Sequence, residues 1–244
     1  KRRLGKPDWV VDELTLGAIW DCDFATAEPV FRDVITLAQG ELGLEEFLKQ
    51  VRDEWAHQQR FVLVPYQHGR CQLIRNWDDL AAKLADHLTS LEAMKASPYY
   101  AEFAAEAAAW ESKLGALQEL LDVWVDVQRR WVYLEGVFAS GGDSTGLLPQ
   151  ETARFRAVNN DFLAAMRRAF QVALDALAVD GLPKVLARLA DQLARIQKAL
   201  GEYLERQRAA FPRFYFIGDE DLLEIIGNAR DIAKAQKHLK KMFS

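Results

Sequence analysis

The sequence predicts an all-α fold with one small β-hairpin, in an elongated helical-bundle architecture, and three observations carry that expectation. Over 110–138 the apolar residues form one continuous helical stripe with no turn signal inside it. Two further stripes, opening at Leu148-Pro149 and Leu182-Pro183, follow with short connections, which favours antiparallel packing in a bundle. Between about 61 and 74 the helical period gives way to two short β-rich runs around a turn, and this is the single hairpin.

Residues 1–8 read as a ragged leader, and 14–20 is too short for periodicity to separate strand from helix, so 1–28 forms a leader with one short element. Phe31, Val34, Ile35 and Leu37 then keep helical spacing from Pro29, and Leu44, Phe47, Leu48, Val51 and Trp55 resume it after Gly40 and Gly43. Two short helices are expected. The hairpin follows as Phe61-Val62-Leu63-Val64, a turn around Pro65-Tyr66-Gln67-His68-Gly69, and Cys71-Gln72-Leu73-Ile74. A helix over about 76–95 places Trp77, Leu80, Leu84, His87, Leu88 and Leu91 on one face and completes a region of N-terminal helices and hairpin over 29–95.

Ser97-Pro98 supplies an N-cap and a first-turn proline for the long helix, or for a short one leading into it. The stripe runs Trp110, Leu114, Leu117, Leu121, Trp124 in steps of 4, 3, 4 and 3, then Val127, Trp131, Leu134, Phe138 in steps of 3, 4, 3 and 4. The extra three-residue step after Trp124 has the form of a stammer, which overwinds a helix locally. At 1.5 Å per residue this stretch is roughly 44 Å long, the length of a scaffold rod. A turn-rich loop at 141–146 ends it. The next stripe carries Phe155, Phe162, Met166, Phe170, Leu174 and Leu177 until Asp180-Gly181 stops it. The third carries Leu186, Leu189, Leu193, Ile196, Leu200 and Tyr203, closing a long-helix bundle over 96–210. Pro212 forbids helix through 211–217 and the aromatics behind it favour an extended crossover. Asp219 or Asp221 then caps a short helix holding Leu222, Leu223, Ile225 and Ile226, and a final amphipathic helix covers about 231–243.

Composition excludes several classes. Half the 244 residues are hydrophobic, so the chain is neither disordered nor a mini-protein. A net charge of −5 argues against nucleic acid or an anionic membrane as the main partner. Cys22 and Cys71 lie far apart without CxxC spacing, which suits a reducing, cytosolic compartment. No apolar run approaches the length of a membrane span, and no signal-peptide core follows Lys1-Arg2-Arg3.

Catalytic chemistry is missing from the pattern. The loop Gly141-Gly142-Asp143-Ser144-Thr145-Gly146 has glycines but no lysine and sits between helices, unlike a phosphate loop. Phe214-Tyr215-Phe216-Ile217-Gly218-Asp219-Glu220 superficially resembles a strand ending in a metal-binding pair, but helix capping by Asp219 explains it better. His57, His68, His87 and His238 include no metal-ligand spacing and read as structural or surface residues. Lys234, Lys237, Lys240 and Lys241 make the last helix basic as a solvated face, and the tryptophans on the stripe read as core. No catalytic, cofactor-binding or metal-ligating residue is assigned.

A resemblance adds to this reading. The run Trp124-Val125-Asp126-Val127-Gln128-Arg129-Arg130-Trp131-Val132-Tyr133-Leu134-Glu135-Gly136-Val137-Phe138 is followed in order by Leu148-Pro149-Gln150-Glu151, by 196–205 with Tyr203-Leu204, and by FPRFYFIGDEDLLEIIG over 211–227. In that order these segments resemble the linker region of dynein heavy chains, the last third being most similar to the cytoplasmic form. The positions carrying the resemblance are Trp124, Gln128, Arg129, Trp131, Tyr133, Leu134, Leu148, Pro149, Tyr203, Leu204, Phe211, Pro212, Arg213, Phe214, Phe216, Leu222 and Leu223.

The resemblance implies an arched rod of helical-bundle subdomains lying across the AAA+ ring of the same heavy chain, whose ATP-driven changes it converts into a power stroke along microtubules. On that basis 211–244 holds the aromatic crossover and C-terminal helices that continue into a motor ring absent from this chain. The fragment itself is then no enzyme and holds no cofactor. Its parent is an ATPase, homodimeric, microtubule-associated and cytoplasmic, with no nucleic-acid or membrane partner. From the residues alone, a stand-alone helical adaptor that binds another protein is the alternative.

Overall fold

The computed structural model describes residues 24–58, 60–66, 71–140, 148–167, 173–179 and 181–227, with the isolated residues 10, 13, 15, 17, 236, 242 and 243. The longer elements among them are α1 (Phe24–Asp53), β1 (Val62–Tyr66), β2 (Cys71–Arg75), α2 (Trp77–Met94), α3 (Ala104–Ser140), α4 (Pro149–Met166), α5 (Leu182–Ala210) and α6 (Asp219–Gly227). The fold is all-α with one small hairpin, as the stripes require. Two compact units form, one from Lys1–Ala56 with Ala85–Lys113 and the other from His57–Leu84 with Leu114–Ser244. The division falls inside α2 and inside α3.

In the first unit α1 is one helix of 30 residues rather than the two short helices expected. A glycine within a helix costs about 1 kcal/mol relative to alanine but ends it only where the backbone turns to positive φ. Gly40 does not turn; a Cβ there would lie 2.1 Å from the Tyr99 ring, so the glycine is a packing requirement and not a stop. The helix ends in a π-turn, Glu54–Gln58, that seats Trp55 in the core beside Leu48 and Val51. The Trp55 N–H donates to Nδ1 of His87 at 2.7 Å, and Nε2 of His87 lies 3.5 Å from the Glu54 carboxylate. His87 is therefore a structural histidine, as expected, whereas the side chains of His57, His68 and His238 lie outside the described residues. Leu91, Met94, Ala107 and Trp110 complete this core.

Ser97-Pro98 does not cap α3 itself. Three-residue turns carry the chain from Lys95 to a 3-10 turn at Tyr100–Glu102, and α3 starts at Ala104. Oγ of Ser97 accepts from the Tyr99 N–H at 3.3 Å, the local bond with which a serine closes a turn.

In the second unit β1 and β2 pair antiparallel from Val62↔Arg75 to Tyr66↔Cys71. Pro65 and Tyr66, expected in the turn, extend the strand instead, because proline is tolerated where its missing N–H faces an open edge. Asn76, at φ 53°, makes the corner into α2 in a conformation asparagine tolerates. The stripe of α3 is buried from Leu114 to Leu134, with Phe138 half-buried. However, Leu120, Val125, Gln128, Glu135 and Val137 are buried too, so α3 is covered on more than the one face its stripe suggests. The hairpin and α4 both pack on it, and β2 and α4 also touch each other.

Helix α4 begins with Pro149 at its first position, as expected. It ends at Met166, and Ala173–Ala178 is a separate 3-10 turn, so the expected single helix reaching Leu177 is not formed. In a 3-10 turn residues three apart eclipse, which buries Ala176 and leaves Leu174 and Leu177 together half-exposed. Phe170, the 141–146 loop and most of the helix expected over 231–243 lie outside the described residues. Gly181, at φ 77°, supplies the left-handed joint before α5, whose leucines from Leu186 to Leu204 are buried. Asp161 pairs with Arg188 at 2.9 Å, while Val158 and Ile196 share one groove, so α4 and α5 run antiparallel.

The aromatic crossover is also helical in part. Phe211 and Ile217 are extended, but Pro212–Phe216 is a 3-10 turn with Pro212 first, since the fixed φ of proline suits a first helical turn as well as a strand. Nor does Asp219 cap α6 with its side chain. Gly218 C=O accepts the Leu222 N–H at 3.0 Å, and the Asp219 carboxylate takes the guanidinium of Arg208 on α5.

Candidate functional site

Every position that carries the family resemblance lies in the second unit. Trp124, Trp131, Leu134, Leu204 and Leu222 form its core. Trp131 is fully buried, stacked on Phe162 with centroids 4.4 Å apart and met edge-on by Tyr66 at 5.6 Å. Its indole N–H donates to Oδ1 of Asn159 at 3.2 Å, and that of Trp124 to Sδ of Met166 at 3.1 Å. Phe61 packs edge-on against Trp124. Two adjacent heptads of α3 thus bind both the hairpin and α4, which also touch each other through β2.

Gln128 fastens the hairpin. Its Oε1 accepts the Ile74 N–H and its Nε2 donates to the Ile74 C=O, both at 2.8 Å, so a buried amide takes the place of a neighbouring strand. One heptad on, the Glu135 carboxylate accepts from the Tyr66 hydroxyl at 3.2 Å. Neither role was read from the sequence. The available signal is that Gln128 and Glu135, polar and seven apart, flank Trp131 at helical spacing on a buried helix.

Beside this joint lies a cleft of about 580 Å³, lined by Val64, Pro65, Tyr66, Leu73, Ile74 and Arg75 of the hairpin, Trp77 of α2, Gln128, Arg129, Val132 and Tyr133 of α3, and Glu220 of α6. Arg129 is exposed, with its guanidinium 5.0 Å from the centre of the Trp77 ring. Burial, and then the charges of Asp219 and Glu220, push the Tyr133 hydroxyl above the usual tyrosine range, against an opposing effect from Arg208. Among the described residues no group of His, Cys, Asp and Glu could hold a metal ion, and Cys71 is buried in β2.

A second feature is an exposed aromatic face on the turn after α5. Phe216 is 71% exposed, Tyr215 57% and Phe211 41%. Phe211 rests edge-on against Phe214, and the Tyr215 hydroxyl donates to Glu205 at 2.5 Å, a bond that raises its pKa. Arg213 donates to the Met242 C=O at 3.0 Å and lies over the ring of Phe243. Leu148 and Pro149 open α4, Tyr203 is half-buried on α5 with its hydroxyl pushed up by burial, and Leu223 is half-buried on α6.

A family model described as dynein heavy chain, N-terminal region 2, matches residues 2–244. The chain belongs to the dynein heavy-chain family. It is 54% identical over 246 residues to a cytoplasmic dynein heavy chain of Dictyostelium discoideum and 52% identical over 239 residues to that of Drosophila melanogaster, covering 100% and 97% of this chain. A cytoplasmic dynein 2 heavy chain of Tripneustes gratilla is 39% identical over 245 residues, covering 96%. The chain spans 5% of the length of each of these relatives. Among the described residues no helix is long and apolar enough to cross a membrane.

Proposed function

We propose that this dynein heavy-chain region is the mechanical linker of its motor, a lever that couples ATP-driven changes in an AAA+ ring of the same heavy chain to a power stroke along microtubules. The observation that carries the reading is α3. It is an unbroken helix of 37 residues, buried from more than one side and cross-tied through Gln128, Trp124 and Trp131. Such a member resists bending, because any kink must open buried contacts to the hairpin and to α4 together. A lever also needs a surface on which a moving partner can act, and the aromatic face at Phe211, Tyr215 and Phe216 has the exposure and residue types of such a contact.

On this reading the chain carries no chemistry of its own, and its ATPase partner is intramolecular. The parent is a homodimeric, cytoplasmic, microtubule-associated motor. Replacing Tyr215 and Phe216 by serine in the parent heavy chain tests the contact, because both side chains are exposed and the fold does not depend on them. Slower microtubule gliding at retained ATP turnover is expected, whereas unchanged gliding would remove this face from the mechanism.

A further inference from the structure

The groove between α4 and α5 carries a charge pattern that packing does not require. It is lined by Arg154, Ala157 and Val158 of α4 and by Gln192, Arg195 and Ile196 of α5. Asp161 and Arg188, whose side chains meet across the seam at 2.9 Å, fix the antiparallel register. Arg154 stands seven residues before Asp161 and Arg195 seven after Arg188, so one heptad along the same two rows bring arginine opposite arginine. One level of the seam closes with an ion pair; the next holds two like charges. Between these levels the small side chain of Ala157 comes opposite Gln192 and leaves a notch over the buried Val158 and Ile196.

Neither cation is neutralised as Arg188 is. Arg195 has no ion pair among the described residues, although the exposed Asp191 lies four residues before it. Arg154 lies 3.7 Å from Glu151, beyond hydrogen-bond range, and its side chain is 61% exposed. Facing guanidinium groups repel, but in water at an exposed site the cost is small, and the same exposure leaves both open to a partner.

Size and charge narrow the choice of partner. The groove, at about 290 Å³, is at the lower limit of the roughly 300–1,000 Å³ that encloses a small organic molecule, and suits one side chain. Two arginines against one glutamate leave a net charge of +1, the complement of one carboxylate rather than of a dianionic phosphate. We infer that the groove receives a glutamate side chain of an acidic partner polypeptide laid along α4 and α5, its carboxylate bridging Arg154 and Arg195 and its methylenes resting on Ala157, Val158 and Ile196. Planar guanidinium groups take a carboxylate in two-point contact, Gln192 adds an amide donor, and arginine clusters recur in the recognition of acidic segments. None of these residues lies on α3 or on the aromatic face at 211–216.

The probe is a blocked glutamate hexapeptide, titrated at low salt into the 244-residue chain while the arginine side-chain N–H signals are followed by NMR. Saturable binding that shifts the signals of Arg154 and Arg195 is expected. Arg154→Gln and Arg195→Gln should each weaken it about fivefold, whereas Arg156→Gln, which removes the same charge from an exposed position outside the groove, should change it by less than about twofold. Ala157→Leu keeps every charge but fills the notch, and should weaken binding as much as loss of either arginine. Equal losses in the three arginine variants would reduce the binding to net charge and overturn the inference, as would undiminished affinity in Ala157→Leu. Inorganic phosphate bound more tightly than the peptide at the same two arginines would also overturn it, by making the groove a site for a free anion.

Discussion

Replacing Trp131 by alanine should destabilise the second unit by about 3–5 kcal/mol, the range for removing a large buried aromatic. The structure gives reasons for the upper half of that range. The side chain is fully buried, so the transfer term is complete, and it is held by neighbours on two elements, β1 and α4, that cannot both move inward to fill the void. Phe162 loses its stacking partner, Tyr66 its edge contact, and Oδ1 of Asn159 its donor. Arg130→Ala is the control on the adjoining face. It removes an i,i+4 pair with Asp126 and a bond to Gln197, contacts worth about 0.5–1 kcal/mol at a partly exposed site. Urea unfolding followed by fluorescence should lower the midpoint for Trp131→Ala by about 1–2 M with a slope near 2–3 kcal/mol/M, and hardly shift it for Arg130→Ala. Similar midpoints for the two variants would refute the assignment of Trp131 as the joint between hairpin, α3 and α4.

Gln128→Ala should leave the N–H and C=O of Ile74 without their partner and cost about 2–4 kcal/mol, with accelerated amide exchange at Ile74 as the local readout. Gly40→Ala should destabilise the first unit by about 1–3 kcal/mol despite the better helix propensity of alanine, because its Cβ meets the Tyr99 ring. In a Tyr99→Ala background the same change should become stabilising by about 1 kcal/mol, and thermal melts of the four proteins complete the cycle.

Helix existence was legible because each stripe keeps its period over many turns: Leu186 to Leu200 and Trp110 to Leu134 are buried as their spacing requires. Element ends were less so. Gly40 reads as a stop in sequence, and only the position of Tyr99, 59 residues on, makes it a contact. Similarly, Leu174 and Leu177 continue an α-helical stripe on paper, yet a three-residue repeat fits a 3-10 turn as well. Pro212 rules out the middle of a helix but not its first turn. The site was the least legible part. The partners of Gln128 and Trp77 come from segments more than 50 residues apart, and periodicity within one element carries no information about which neighbour covers it.

The measurement that bears most directly on the lever is microtubule gliding against ATP turnover for the parent heavy chain with Glu119→Pro. Glu119 is exposed, so the core stripe of α3 stays intact, but proline removes a backbone bond, clashes with the carbonyl of residue 115 and kinks the helix at a cost of about 3 kcal/mol. If α3 transmits force, the kinked motor keeps turning over ATP and loses most of its gliding speed. Full gliding speed from a motor whose α3 is shown to be kinked would contradict the account.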